Sequence, residues 1–154
     1  MSLAETAINT FLDRKLARPA TKPAHHPIKA RSLAKGILAG LAAGLAATAA
    51  KALIEKVYPP RAESAPQPAH WAFGATVGAA YGALAEFYPA ATARDGVTFG
   101  MTLMALTHDS ALPALGLAAA PAGLTRRETS SEVASHLVFG LAAETTRRVV
   151  RKIL

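Results

Sequence analysis

The stretch SEVASHLVFGLAAETTRRVV, residues 131–150, decides how this chain is read. It is apolar enough to lie in a membrane, yet it carries Glu132, His136 and Glu144 and then turns basic at Arg147 and Arg148. Residues four apart on an α-helix form a slowly winding stripe that drifts by about 40° per step. Glu132, His136, Gly140, Glu144 and Arg148 make one such stripe. An ionisable group facing lipid costs about 2.5–3.5 kcal/mol even on the gentler insertion scale. The stripe is therefore expected to face other helices, with Arg147 and Arg148 marking a cytoplasmic boundary.

Three earlier segments have the same character. The first is LAKGILAGLAAGLAATAAKALIEKVY at 33–58, stopped by Pro59-Pro60. The second, HWAFGATVGAAYGALAEFY at 70–88, is closed by Pro89, and the third, GVTFGMTLMALTHDSALPALGL at 96–117, is broken or kinked near its end by Pro113. The fourth runs from about Ser130 to Val150. At a rise of 1.5 Å per residue each reaches across a hydrocarbon core of about 30 Å. Alanine and glycine stand where leucine would be, so such segments insert marginally alone and need one another. The expected fold is all-α: residues 32–154 as a bundle of four transmembrane helices, and residues 1–31 as a basic segment. In that segment LAETAINTFLDRKL, residues 3–16, has the spacing of a short amphipathic helix. A Pro-interrupted linker carrying His25 and His26 follows it.

Each segment has its own row. Ser32, Gly36, Gly40, Gly44 and Thr48 recur every four residues; so do His70, Gly74, Gly78, Gly82 and Glu86, and then Gly96, Gly100, Met104 and His108. Small residues on a stripe let backbones approach closely. The glycines, Gly140 of the fourth row included, therefore predict a tight bundle.

Composition narrows the classes. The chain is 51% hydrophobic and 18% charged, and its lack of cysteine excludes disulfides and Cys-ligated zinc or iron–sulfur sites. A net charge of +7 raises the question of nucleic acid, but the basic residues flank apolar segments. That is the pattern of membrane anchoring, and no nucleic-acid partner is expected. With both termini on one side, twelve of the 17 Lys and Arg fall on that side, which makes it the cytoplasm. His70 and Glu132 then begin helices on the outer side, near His108, Asp109 and His136. Glu86 and Glu144 approach the inner side, where Arg94, Arg147 and Arg148 are available.

Three readings of the outer group stay open. Its members hydrogen-bond across helices to fix register, or respond to protons through histidine paired with carboxylate, or hold a metal or haem. No HxxxH or HExxH spacing within one helix supports the last, and no metal or cofactor is expected. GLAAGLAATAAK lacks the preceding strand and the Lys-Ser/Thr ending of a phosphate loop, and no nucleophile stands with a base.

These residues carry a family resemblance. Lys51 and PPR at 59–61 begin it. His70, GAAYGALAEFYP with Tyr81 and Glu86, His108, Pro113 and LGL at 115–117 continue it, and Ser131-Glu132, His136, Glu144 and Arg147-Arg148 complete it. The ordered set resembles the YagU-like family of small bacterial inner-membrane proteins. The resemblance implies an inner-membrane location, a loose link to survival in acid and no established reaction. The chain departs from that family in its short 59–69 connection, where a long insertion is usual, and in its basic residues 1–31. The expected function is non-catalytic: a self-associating bundle or an accessory subunit of a larger membrane complex, with lipid and membrane-protein subunits as partners. The alternative is a proton-responsive or proton-conducting bundle contributing to acid tolerance.

Overall fold

The computed structural model of the protein describes residues 31–59, 67–116 and 121–154. The amphipathic helix expected over 3–16, the linker that follows it and the His25–His26 pair lie outside the described residues. Those that are described form four helices and their connections, with no strand among them.

Helix α1 spans Leu33–Val57. The Ser32 hydroxyl caps its start by accepting from the Lys35 backbone N–H, which satisfies one of the donors that a first turn leaves free. It stops at Tyr58, ahead of the Pro59-Pro60 pair, since proline cannot continue the hydrogen-bond ladder. Helix α2 spans Gln67–Phe87 and ends before Pro89. A 3₁₀ connection, Pro89–Gly96, follows, and its last three residues lie in the left-handed region, Arg94 at φ 51°, Asp95 at 55° and Gly96 at 86°. Only glycine takes that conformation without steric cost, so Arg94 and Asp95 are strained.

Helix α3 spans Val97–Leu106 and passes into a π-helical turn, Thr107–Ala111, and a last turn, Leu112–Ala114. Pro113 has no N–H to give to the carbonyl four residues back, and the ladder loosens just before it. The Ser110 hydroxyl takes up two of the carbonyls upstream, those of Ala105 at 2.7 Å and Leu106 at 2.9 Å. Helix α4, Arg126–Ile153, extends beyond the apolar stretch of about 130–150 at both ends. Its start is a capping box, the Thr125 backbone N–H donating to the Glu128 carboxylate while the Thr125 hydroxyl accepts from the Glu128 N–H.

The helices alternate in direction. Gly36 meets Gly82 and Gly44 meets Gly74, so α1 and α2 are antiparallel; Gly100 against His136 and Gly96 against Gly140 make α3 and α4 antiparallel too. Lys51 reaches Ser135 across the α1–α4 contact, and Lys35 reaches the carbonyl of Leu154. One end of the bundle therefore gathers the start of α1, the connection into α3 and the end of α4. The other gathers the end of α1, the start of α2, the π turn and the start of α4.

The α1–α2 seam is built from backbone. A Cβ added at Gly40 would stand 2.2 Å from the Gly78 carbonyl oxygen, and one at Gly44 would stand 2.1 Å from that of Gly74. The α3–α4 contact repeats the device: a Cβ on Gly100 would meet the His136 carbonyl at 2.1 Å. Between the seams lies a small core of Ala43, Ala47, Tyr81, Phe139 and Ala143. Tyr81 stacks on Phe99 at 4.1 Å between ring centroids, and Phe99 tilts against Phe139 at 6.0 Å.

One helix, α1, is long and apolar enough to cross a membrane by itself, with a mean hydropathy of 1.8 over its most apolar window. The other described helices do not reach that standard. Polar and small residues lower α2, α3 is only ten residues long before the π turn, and α4 carries too many charges. The expected all-α bundle of four helices is present among the described residues, and one of the four, α1, is apolar enough to be a span by itself.

Candidate functional site

The ionisable residues of the bundle gather at its two ends. The roughly 18 Å between Glu132 and Glu144 along α4 keeps the two groups apart.

At the end where α1 starts and α4 finishes, every buried carboxylate is held by arginine. Glu144 is 1% exposed. Its Oε2 accepts from the Arg147 Nε at 2.7 Å and from the Tyr81 hydroxyl at 2.7 Å, and its Oε1 accepts from Arg147 Nη2 at 2.8 Å and Arg148 Nε at 2.6 Å. The arginines follow Glu144 by three and four residues, the spacing that puts them on its own face of the helix. Arg148 reaches onward to Asp95 at 2.8 Å, and so ties the strained connection to α4. Glu86, at the end of α2, pairs with Arg151 and accepts from the Ser32 backbone N–H at 3.0 Å. The same carboxylate raises the Arg151 guanidinium above its ordinary pKa. Four elements are thereby fastened together by charge-assisted hydrogen bonds, the strong class.

The opposite end is put together differently. His136 is buried on α4, and its Nδ1 donates to the Glu132 backbone carbonyl at 2.9 Å. A carbonyl only accepts, so this bond fixes the proton on Nδ1 and leaves the lone pair on Nε2. His108 arrives from the π turn, its ring edge-on to that of His136 with centroids 5.0 Å apart. The Glu132 Oε2 lies 3.7 Å from His108 Nδ1, 3.7 Å from His136 Nδ1 and 4.0 Å from the Lys51 ammonium. That oxygen is buried and takes no hydrogen bond among the described residues. Lys51, 5% exposed on α1, is engaged elsewhere, by Glu55 one turn along and by the Ser135 hydroxyl at 2.9 Å.

The structure thus brings His108, Glu132 and His136 together. His70, half-buried at the start of α2, is within electrostatic reach of His136. Asp109 is exposed and acts on His108 only from a distance. Glu86 takes Arg151 as its partner, while Arg147 and Arg148, read as boundary markers, are also the ligands of Glu144. Sequence reasoning does not reach Arg151, Ser135, Glu55 or Asp95 as site residues, and it reaches Lys51 and Tyr81 only through the family resemblance. The signal for Lys51 is its place as a lone charge in an alanine run, four residues before Glu55. The signal for Glu132 with His136 is the i,i+4 spacing of a carboxylate and an imidazole, which a search for paired histidines passes over.

The fold and the two clusters define a helical bundle with charge in its interior and glycine at its seams. Residues 65–145 match the family of proteins of unknown function called DUF1440, and the chain belongs to that family. The matched range includes His70, Glu86, His108, Glu132, His136 and Glu144, while Lys51 and Arg151 lie outside it. No curated protein and no solved structure matches the chain.

Proposed function

We propose that the chain is a small polytopic protein of the bacterial inner membrane, its four helices crossing the bilayer with both termini cytoplasmic. It acts without catalysis, as a self-associating bundle or an accessory subunit of a larger membrane complex. The observation that supports this best is an inversion of polarity. Glu144, Thr48, Ser131, Ser135 and His136 are buried beside Tyr81 and Phe139, whereas Leu38, Leu53, Phe73, Leu84, Leu106 and Val149 are exposed. A bundle folded in water does the reverse. In lipid the apolar exterior has its solvent, and small residues and polar contacts are left to hold the helices together. Turning Glu86, Glu144 and His136 inward also removes the chief obstacle to inserting α2 and α4, which are weak spans alone. The resemblance to the YagU-like proteins agrees with this reading. The proton-responsive alternative would draw on His70, His108, His136, Glu86 and Glu144; its two glutamates are already taken by arginine, and it is the weaker of the two.

The absence of cysteine makes the topology directly testable. Ala93 and Ala122 are exposed in connections at opposite ends of the bundle. Introduced singly, Ala122→Cys is expected to react with a membrane-impermeant maleimide on intact cells, and Ala93→Cys only after the membrane is opened. Labelling of both from the same side would overturn the four-span reading. Native mass spectrometry of the gently extracted protein then separates the two modes of action, by returning either multiples of this chain or a larger stoichiometric assembly.

A further inference from the structure

We infer that His108, Glu132 and His136 form a binding site for a divalent first-row transition-metal ion of the Zn²⁺ type. Each residue offers one ligand atom, and the three atoms all lie within 4.8 Å of one another. Ligands at about 2.0–2.1 Å around a tetrahedral ion stand roughly 3.3 Å apart. The 3.7 Å separation from Glu132 Oε2 to His108 Nδ1 is a few tenths of an ångström from that spacing, within the reach of side-chain torsions, and His136 offers Nε2, since its Nδ1 is held by the Glu132 carbonyl.

Three further features point to a cation. Glu132 Oε2 is a buried carboxylate oxygen with no hydrogen-bond donor among the described residues, facing two imidazoles. Such an oxygen ordinarily has a partner, and one without it is unusual in a folded interior. His136 is oriented by the bond from its Nδ1 to the Glu132 carbonyl, the kind of outer contact that fixes a metal-ligating imidazole with its other nitrogen free. His108 stands on a π-helical turn, a local departure that is frequent at functional sites. Two imidazoles with one carboxylate select Zn²⁺, Co²⁺ or Fe²⁺ over Mg²⁺ or Ca²⁺, which prefer all-oxygen sets.

The Lys51 ammonium is the obvious competitor. It stays 4.0 Å from Glu132 Oε2 because Glu55 and the Ser135 hydroxyl hold it, so the carboxylate oxygen remains available. Asp109 and Glu55 lie within electrostatic reach of His108 and offset the repulsion that Lys51 exerts on an incoming cation. The site rests on the described side chains alone and holds whether or not the bundle spans a membrane.

The test uses the full chain, purified through a tag without histidine and with His25 and His26 replaced by alanine, since that pair could bind metal on its own. Titration with Co²⁺ is expected to give the visible d–d absorption of a nitrogen–oxygen site, saturating at one ion per chain and abolished by Zn²⁺. His108→Asn and Glu132→Gln, checked for unchanged helical circular dichroism, should each weaken binding about a hundredfold or more, since even outer-contact losses cost 10–100-fold. His108 is only half-buried, so its variant tests the site without emptying a core position. A parent protein without the absorption, or variants that bind Co²⁺ like the parent, would overturn the assignment.

Discussion

At the scale of single residues, Glu144 carries the heaviest burden. Four donors converge on one carboxylate that solvent scarcely touches, and two of them come from the Arg147 guanidinium. Removing one partner of a buried ion pair costs about 3–5 kcal/mol, because the other is left charged and uncompensated. Glu144→Gln is expected to lose about 3 kcal/mol, read from thermal or denaturant unfolding in detergent. Arg148 is about half exposed, and Arg148→Gln should cost under about 1 kcal/mol, the range of exposed pairs. Strain gives a prediction of the opposite sign at Arg94. Its left-handed backbone has a steric cost of about 1–2 kcal/mol that glycine avoids. Arg94→Gly should therefore raise stability by about 1 kcal/mol, less whatever the freer unfolded chain takes back. An unchanged or lower midpoint would mean that the connection relaxes the strain by other means.

The elements show what a sequence can and cannot disclose. The four-residue glycine rows of the first two segments announce close approach, and the Pro59-Pro60 and Pro89 boundaries announce where the helices stop. Both are local signals, one of size and one of a missing N–H. The capping box at Thr125 and Glu128 is legible in the same way, as TRRE, although a reading governed by hydropathy starts the fourth helix too late. The π turn at Thr107–Ala111 is not legible, since it depends on how the chain settles around Pro113. Which arginine meets which carboxylate is equally hidden. Arg151 and Glu86 are 65 residues apart and meet only because α2 and α4 run in the same direction. The seams yield a paired prediction. Gly78→Ala places a methyl group 2.5 Å from the Gly40 carbonyl oxygen, whereas Gly123→Ala meets nothing within 4 Å. Overpacking typically costs about 1–3 kcal/mol, so the first should destabilise by at least that much and the second by almost nothing. Equal effects in an unfolding assay would mean that the helices slide apart freely.

Over the described bundle, polar groups are buried at both ends but unevenly paired. Arginines saturate the carboxylates at one end, while a carboxylate oxygen at the other waits among imidazoles. Amide hydrogen exchange should reflect this, with slower exchange around Glu144 and Arg147 than in the first turns of α4 around Glu132. Uniform rates along α4 would show that the ion pairs do not clamp the bundle. The glycine seam between α1 and α2 has a different character from either end. Salt bridges between long side chains can stretch, swap rotamers and give way gradually. A contact made of carbonyl oxygens and Cα atoms holds no rotatable bond and has no side-chain freedom to lose on forming. Such a seam has no half-open state to visit: α1 and α2 are zipped along their length or they are apart, and any motion the bundle makes must treat them as one stiff plate.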